Sequence, residues 1–162
     1  MTAQKANIKV LCIDIDGTLT NGKLYVTPTE EAFKVFDIKD GFGIREILPA
    51  KGITPVVITG RNSIINSKRC SELGIKHVYQ GVQQKLPVMK QILNELNLSC
   101  ENAAYIGDDD NDLACMEVAA LTACPADASK NVKQAANYIS SKNGGDGAVR
   151  DFIEWLLCNA ST

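Results

Sequence analysis

Short apolar runs alternate with amphipathic stretches along this chain, and this alternation limits the possible folds more than any other feature. Five runs have the length and β-branched content of buried strands: "IKVLCIDI", "ITPVVITG", "KHVYQG", "AAYIGD" and "ALTACP". Four stretches between them carry apolar residues at helical spacing: "DGFGIREILPAKG", "RNSIINSKRCSELG", "QQKLPVMKQILNELN" and "DNDLACMEVA". This order predicts right-handed βαβ crossovers, and therefore an α/β fold built on a doubly wound parallel sheet.

The 162 residues are expected to form a single domain, 1–162, because no linker, repeat or low-complexity segment divides them. One segment, "GKLYVTPTEEAFKVFDIKDG", interrupts the alternation and has no helical period. It predicts a two-stranded hairpin over residues 22–38 that turns near Thr27 to Glu30. Because this hairpin directly follows the first strand, we expect it to project from the edge at which that strand ends.

The composition excludes several classes of partner. The 17 basic and 19 acidic residues are interspersed, so the chain has neither a basic face for nucleic acid nor a polybasic membrane patch. No apolar run approaches the ~20 residues of a transmembrane span, and the first residues lack the apolar core of a signal peptide. The six cysteines show no C-x-x-C spacing, and His77 is the only histidine. We therefore expect a cytoplasmic protein with reduced, mostly buried thiols.

Two carboxylates stand two residues apart where the first predicted strand ends, in "CIDIDGTLTNG". Because side chains alternate along a strand, Asp14 and Asp16 leave the same side of the chain within a few ångströms of each other. Such a pair persists when a cation lies between the charges, when one carboxyl holds a proton, or when water solvates both. The pair alone leaves these three alternatives open.

Polar residues also follow the other predicted strands, at the edge where doubly wound sheets bind ligands. In chain order they are Thr59, Gly60 and Arg61 after the second strand, Lys85 at the start of the helix after the third, and Gly107, Asp108, Asp109 and Asp112 after the fourth. Hard carboxylate oxygens suit Mg²⁺, and a hydroxyl with two cations suits phosphoryl oxygens. The edge therefore predicts a site for Mg²⁺ and a phosphate group.

The order of these motifs, "DIDGT", "ITGR", Lys85-Leu86 and "YIGDDDND", resembles that of the haloacid dehalogenase superfamily of aspartyl-phosphate phosphatases over almost the whole chain. The hairpin in place of a cap domain and the strings "FDIKDGFGIREI", "VYQGVQQKL" and "GGDGAVRDFI" are similar to the capless branch that contains octulosonate 8-phosphate phosphatases. The resemblance implies a Rossmann-like core and a Mg²⁺-dependent phosphatase. It also implies a keto sugar acid phosphate as the substrate, in the synthesis of an outer-membrane (lipopolysaccharide) sugar.

The resemblance further implies a role for each motif residue. Asp14 matches the nucleophile and Asp16 the general acid and base. Mg²⁺ is then held by Asp14, the main-chain carbonyl of Asp16, and Asp108. Thr59, Gly60 and Lys85 match the residues that hold the phosphoryl oxygens, while Asp109 and Asp112 orient the loop and metal-bound water.

Three features could recognise the part of the substrate beyond the phosphate, and each has two interpretations. Arg61 either pairs with a sugar-acid carboxylate or forms a strand-end salt bridge. In the resembled phosphatases a homotetramer forms, and the hairpin of one subunit closes over the next site; an apolar hairpin also packs on its own domain. Arg150 with Gly144, Gly145 and Gly147 forms either a closing tail or a simple loop before the last helix.

Other functions fit part of the same pattern. The nearest is a phosphatase for a nine-carbon keto acid phosphate of the nonulosonate or neuraminate type, although relatives of that kind can carry an acidic residue where this chain has Arg61. A phosphoryl-accepting receiver domain needs adjacent acids after the first strand and a lone Asp after the third, which this chain lacks. A non-catalytic phosphoryl-binding relative is disfavoured because every catalytic position is intact.

Overall fold

A computed structural model describes residues 6–161 of the chain. The strands in this range are β1 (Val10–Ile13), β2 (Tyr25–Val26), β3 (Glu31–Phe33), β4 (Thr54–Ile58), β5 (His77–Tyr79), β6 (Ala103–Ile106), β7 (Leu121–Cys124) and β8 (Tyr138–Ile139). The α-helices are α1 (Ile38–Phe42), α2 (Leu48–Ala50), α3 (Ile64–Glu72), α4 (Lys85–Glu95), α5 (Leu113–Met116), α6 (Lys130–Ala135) and α7 (Ala148–Asn159). A π-helical turn, Gly43–Ile47, joins α1 to α2, and 3₁₀ turns at Cys100–Asn102 and Asp110–Asp112 precede β6 and α5.

Six strands form one parallel sheet in the order β5-β4-β1-β6-β7-β8. The chain begins at the centre with β1, builds outward through β4 and β5, and then returns to the other side of β1 for β6, β7 and β8. This reversal is the topological switch point of a doubly wound sheet, where a crevice opens beyond the carboxyl ends of the strands. The predicted fold class and the five predicted strands are confirmed.

The central strand β1 is buried on both of its faces. Leu11 and Ile13 belong to a core that includes residues of α2, α3 and α7. Val10 and Cys12 belong to a second core with residues of α4, α5 and α6. A parallel strand that is apolar at every position needs helices on both sides of the sheet, and the two cores meet this need. Only the polar ends of the strands are left for chemistry.

Some helices differ from their predicted form. The predicted helix over residues 40–52 is present, but its centre is π-helical. The spacing of Ile44 and Leu48 fits either helix type, so the sequence pattern could not distinguish the two. The predicted helix over residues 110–119 is shorter, with α5 covering only four residues after a 3₁₀ turn. The short α6 and β8 were not predicted, because neither is long enough to show a period. No helix within residues 6–161 combines the length and hydropathy of a membrane span.

The predicted hairpin is formed by β2 and β3, which pair antiparallel. Its turn lies at residues 27–30, where the Thr27 N–H donates to the Glu30 carbonyl at 2.8 Å. Tyr25 and Phe33 stack across the two strands with ring centroids 4.4 Å apart. The hairpin therefore has its own cross-strand contact, and it leaves the chain between β1 and α1, as the sequence indicates.

Candidate active site

The residues singled out in the sequence come together at the carboxyl ends of β1, β4 and β6. A cleft of about 210 Å³ opens there, and it is lined by Asp14, Asp16, Thr59, Gly60, Arg61, Asp108, Asp109 and Asn111. Lys85 and Asp112 are buried beside Asp14. A larger groove of about 520 Å³ around Ile44 and His77 holds none of the predicted site residues, so the chemistry lies in the smaller cleft.

Lys85 is the first residue of α4, and its side chain is 1% exposed. Its Nζ lies 2.7 Å from Asp14 Oδ1 and 2.7 Å from Asp112 Oδ1. Burial alone would lower the pKa of Lys85, but Asp14 and Asp112 together outweigh burial and raise it. The ammonium is therefore charged, and it links the loop after β1 to the loop after β6.

Asp112 has both carboxylate oxygens fully engaged. Oδ1 accepts hydrogen bonds from Lys85 and from the Tyr105 hydroxyl at 2.6 Å. Oδ2 accepts from the backbone N–H groups of Asp108 and Asp109, at 3.0 and 3.3 Å. Four donors fill the strong acceptor positions of one carboxylate, so Asp112 fixes the loop and Lys85 and has no oxygen left for a metal.

Negative charge is crowded inside the cleft. One oxygen each of Asp14, Asp108 and Asp112 lies within 4.8 Å of the others. Burial raises the pKa of Asp14 to about 6; repulsion from Asp112 adds to the rise and Lys85 opposes it. Burial also raises the pKa of Asp108 to about 8, helped by repulsion from Asp14 and Asp112. A divalent cation would remove this repulsion, and Asp14 and Asp108 have carboxylate oxygens to offer it.

Gly17 allows the loop after β1 to approach Asp108. Its φ is +92°, and a Cβ at this position would lie 2.0 Å from Asp108 Oδ2. On the other side of the same loop, a Cβ on Gly144 would lie 2.0 Å from the Gly17 carbonyl oxygen, and the Gly145 N–H donates to the Thr18 carbonyl at 3.1 Å. The glycine-rich segment before α7 therefore packs directly against the loop that carries the two candidate catalytic carboxylates.

The Asp16 carboxylate is not a member of the cluster formed by the carboxylates of Asp14, Asp108 and Asp112. The Asp16 carboxylate is instead paired with Lys34, whose Nζ lies 2.5 Å from Oδ1. The Asp16 side chain also lines the cleft.

Thr59 and Arg61 follow β4 with very different exposure. Thr59 is 1% exposed, and its Oγ1 has no hydrogen-bond partner among residues 6–161. Such an unpaired hydroxyl, in a residue that lines the same cleft as Asp14, suits a phosphoryl oxygen. The Arg61 side chain is 47% exposed and lies 4.0 Å from Glu31 Oε1. Its guanidinium is only loosely held, so it is available to a ligand carboxylate.

Arg150 does not line the catalytic cleft. Its Nε donates to Glu154 at 2.6 Å, and its guanidinium lies over the Phe42 ring at 5.3 Å. Its backbone N–H donates to Asp40 at 2.7 Å. The arginine thus connects α7 to α1, and Gly147, with φ of +93°, ends the loop that leads into α7.

Sequence reasoning missed three residues that the structure places at the site. Lys34 contacts Asp16, Tyr105 contacts Asp112, and Asn111 lines the cleft. Tyr105 lies within an apolar predicted strand, where the need of a buried hydroxyl for a polar partner was the signal that could have found it. Lys34 carried no signal beyond its place at the end of β3. Asn111 stands between two acids and reads as part of an exposed turn.

Comparison with known proteins agrees with this geometry. A family model described as haloacid dehalogenase-like hydrolase matches residues 62–153. The 3-deoxy-D-manno-octulosonate 8-phosphate phosphatase of Escherichia coli strain K12 is 39% identical over 155 residues, which cover 96% of this chain and 82% of that protein.

Two solved structures have the same fold. The phosphatase of Moraxella catarrhalis, in complex with a magnesium ion, a phosphate ion and a KDO molecule, has a TM-score of 0.90 and 33% identity, covering 96% of this chain and 88% of that one. The cobalt-bound deoxy-D-mannose-octulosonate 8-phosphate phosphatase of Haemophilus influenzae has a TM-score of 0.90 and 35% identity, covering 95% and 90%. The chain belongs to the haloacid dehalogenase-like hydrolases, and within them to the family of 3-deoxy-D-manno-octulosonate 8-phosphate phosphatases.

Proposed function

We propose that this chain is a Mg²⁺-dependent phosphatase that hydrolyses 3-deoxy-D-manno-octulosonate 8-phosphate through a phosphoryl group carried by Asp14. The observation that carries the proposal is the buried ammonium of Lys85, shared between Asp14 and Asp112 at the floor of the cleft. An ammonium fixed beside a carboxylate nucleophile lies where it can hold a phosphoryl oxygen during attack. The complex of the Moraxella catarrhalis relative with magnesium, phosphate and KDO supports the same ligands here.

Mg²⁺ would be held by the carboxylates of Asp14 and Asp108 and by the main-chain carbonyl of Asp16. The donor set fits a hard cation, because it consists of oxygens alone and its carboxylates repel one another in the absence of a cation. When bound, Mg²⁺ supplies the positive charge that lets a carboxylate approach a phosphate dianion. Asp109 and Asp112 would not bind the metal directly but would orient the groups that do. Asp112 fixes the loop by accepting hydrogen bonds from the backbone N–H groups of Asp108 and Asp109.

Each residue of the cleft is proposed to have its own role in phosphoryl transfer. Asp14 attacks phosphorus in line, while Thr59, the Gly60 backbone and Lys85 hold the phosphoryl oxygens. Asp16 gives a proton to the departing sugar oxygen and later takes one from the water that cleaves the phosphoryl-Asp14 bond. The unpaired Thr59 hydroxyl supports its place in this set.

Arg61 is proposed to bind the carboxylate of the sugar acid. Its exposed guanidinium is shared by the catalytic cleft and by a neighbouring cleft of about 310 Å³ that reaches Glu31 and Ile64. A ligand longer than phosphate has room to extend past Arg61 into this second cleft. The nine-carbon keto acid phosphate remains the alternative substrate, because both acids carry the carboxylate.

The assembly is proposed to be a homotetramer in which each hairpin covers a neighbouring site. The apolar side chains exposed on and beside the hairpin support a contact of this kind: Leu24, Val26, Phe33, Val35, Ile38, Phe42 and Ile64. A cleft open on one side also needs a cover, because phosphoryl transfer benefits from the exclusion of water.

The single domain, 1–162, and the cytoplasm as its location belong to the same proposal. Four buried thiols are compatible with a reducing compartment: Cys12, Cys70, Cys115 and Cys124.

The proposal is tested by measuring kcat/KM for phosphate release in Mg²⁺ with three esters: octulosonate 8-phosphate, a nine-carbon keto acid phosphate and glucose 6-phosphate. We expect the eight-carbon ester to be preferred. Arg61→Ala should lower kcat/KM for the keto acid esters roughly 30-fold and leave glucose 6-phosphate nearly unchanged, since glucose 6-phosphate has no carboxylate. Arg45→Ala, an exposed arginine outside the cleft, is the control.

Preference for the nine-carbon ester would change the assigned substrate, and the absence of phosphate release from every ester would refute the function.

Light scattering tests the assembly. The wild type should be a tetramer, and Val26→Asp should dissociate it and lower activity; a fully active monomer would contradict the shared site.

A further inference from the structure

Lys34 places a buried ammonium at the junction between the hairpin and the cleft. It directly follows β3, and its side chain is 2% exposed. Its Nζ lies 2.5 Å from Asp16 Oδ1 and 3.6 Å from Glu31 Oε1. A buried ammonium is stable only when anionic partners surround it, and the two carboxylates meet this need. The hairpin is therefore tied by charge to the loop that carries Asp14 and Asp16.

The two oxygens of Asp16 have different surroundings. Oδ1 accepts the hydrogen bond from Lys34, whereas Oδ2 is buried and has no hydrogen-bond partner among residues 6–161. Because the side chain lines the cleft, the contact with Lys34 restricts the rotation of the carboxylate and leaves Oδ2 unengaged. An oxygen that is free but fixed in direction is what proton transfer to a nearby leaving group requires.

Lys34 itself is held by rigid elements. Glu31, its second partner, accepts a hydrogen bond at Oε2 from the hydroxyl of Ser63. Ser63 is the N-cap residue of α3, and its Oγ also accepts from the Ile65 N–H. The ammonium is thus anchored through Glu31 to the start of a helix that packs on the sheet. This anchorage distinguishes Lys34 from the exposed lysines of the surface.

We propose that Lys34 is a positioning residue that orients Asp16 for proton transfer to the leaving group, an inference that rests on the proposed function. In the first half-reaction the bond between phosphorus and the sugar oxygen breaks, and a bond between phosphorus and an Asp14 oxygen forms. The proton carried by Asp16 Oδ2 passes to the departing sugar oxygen, which leaves as a neutral alcohol. Lys34 keeps its own protons and donates to Oδ1 throughout, and Glu31 remains its anionic partner while Asp16 holds a proton. The ammonium of the subunit's own hairpin therefore determines how efficiently a poor leaving group departs.

The test uses leaving groups that differ in their need for a proton. Phenyl phosphate and 4-nitrophenyl phosphate have similar shape, but nitrophenolate leaves as a stable anion and needs little protonation. The quantity measured is kcat/KM, which reports the steps up to the first irreversible one and so excludes the later hydrolysis of phosphoryl-Asp14. Octulosonate 8-phosphate, with an alcohol as its leaving group, is measured beside them.

Lys34→Met should lower kcat/KM on the order of 10- to 100-fold for octulosonate 8-phosphate and phenyl phosphate, because loss of orientation costs most of the general-acid contribution. The same variant should lose less than about 3-fold with 4-nitrophenyl phosphate, since that reaction does not depend on the acid. Lys34→Arg, which keeps the charge and a donor, should recover most of the loss. Lys51→Met, an exposed lysine outside the cleft, should behave as wild type.

An equal loss with all three esters, or no loss with any, would overturn the positioning role. If Lys34→Met does not fold, the same comparison in Lys34→Gln, which keeps a hydrogen-bond donor without the charge, decides by the same criterion. A wild type that releases no phosphate from any of the esters would refute the proposed function instead, so the two failures are distinguishable.

Discussion

Lys85 donates a hydrogen bond to Asp14 across 2.7 Å in the buried floor of the cleft. The contact joins the first turn of α4 to the loop after β1, and Asp112 holds the lysine from the opposite side at the same distance. One cation thus serves two buried carboxylates. Removing it would leave two buried carboxylates without a positive partner, which is a strongly destabilising change.

Lys85→Ala should therefore lower the free energy of unfolding by about 3–5 kcal/mol in metal-free protein, besides abolishing turnover. Urea denaturation in EDTA measures the change. Lys90→Ala, an exposed lysine on the same helix, is the matched control and should alter stability by less than about 0.5 kcal/mol. A Lys85→Ala protein as stable as the control would show that the buried pairs do not hold the loops together.

Metal removal should abolish activity and lower thermal stability together. Mg²⁺ binds the folded carboxylate set and not the unfolded chain, so it should raise Tm in a saturable manner. Asp108→Asn should lose most of this rise, while Asp146→Asn, an exposed acid outside the cleft, should keep it. Ca²⁺ should also raise Tm but support little turnover, because its looser coordination misplaces the phosphoryl group. Full activity in excess EDTA would contradict the metal site.

Asp40 should give the protein a pH-dependent stability unrelated to the cleft. Burial raises the pKa of its carboxyl to about 6, against the lowering effect of the N–H that Arg150 donates. The usual pKa of an aspartate is about 4, so the folded protein binds more protons than the unfolded chain between about pH 4 and 6. The unfolding free energy therefore falls as pH rises through this window and stays lower above it.

Asp40→Asn should remove that fall, because the amide oxygen can still accept from α7 and the side chain carries no charge at any pH. Relative to wild type in saturating Mg²⁺, the variant should gain on the order of 2 kcal/mol between about pH 4 and pH 7. Thermal unfolding across the window measures the difference. A constant offset between the two proteins would mean that Asp40 ionises normally.

Asn66 on α3 is a fully buried amide whose oxygen and nitrogen have no hydrogen-bond partner among the residues described. Burying such a group costs free energy, so Asn66→Leu, of similar volume, should raise the unfolding free energy by about 1–2 kcal/mol. Each kcal/mol corresponds to about 2–4 °C in Tm for a chain of this size. Asn94→Leu, an exposed position on α4, is the control. A lower Tm for Asn66→Leu than for this control would mean that the amide is satisfied.

The fold and the meeting of the site residues could be predicted from the sequence for one physical reason. In a parallel sheet every strand delivers its carboxyl end to the same edge, so residues far apart in the chain, such as Asp14 and Lys85, must converge. The apolar strands and the hairpin turn could also be predicted, because their sequence patterns are local. What each carboxylate contacts, by contrast, depends on side-chain directions that no local pattern records.

Asp112 and Lys34 illustrate that limit. From its motif, Asp112 could be placed near the metal, but the four donors that engage it come from Lys85, Tyr105 and two backbone groups, and only the packed structure brings these together. Lys34 contacts Asp16 because the hairpin lies against the loop after β1. The alternation of apolar and polar residues predicts the strands of a hairpin but not the direction in which the hairpin points. The π-helical turn at Gly43–Ile47 likewise has the same apolar spacing as an ordinary helix.

Phosphate release by Asp14→Asn is the measurement that tests the central claim most directly. The amide keeps the shape of the carboxylate and can still accept from Lys85, but it cannot attack phosphorus, so kcat with octulosonate 8-phosphate in Mg²⁺ should fall on the order of 10⁴-fold or more. Substrate binding and the circular dichroism spectrum should be retained, and Asp146→Asn should turn over like wild type. An Asp14→Asn protein with near-normal kcat would contradict the account, because no phosphoryl group could then pass through residue 14.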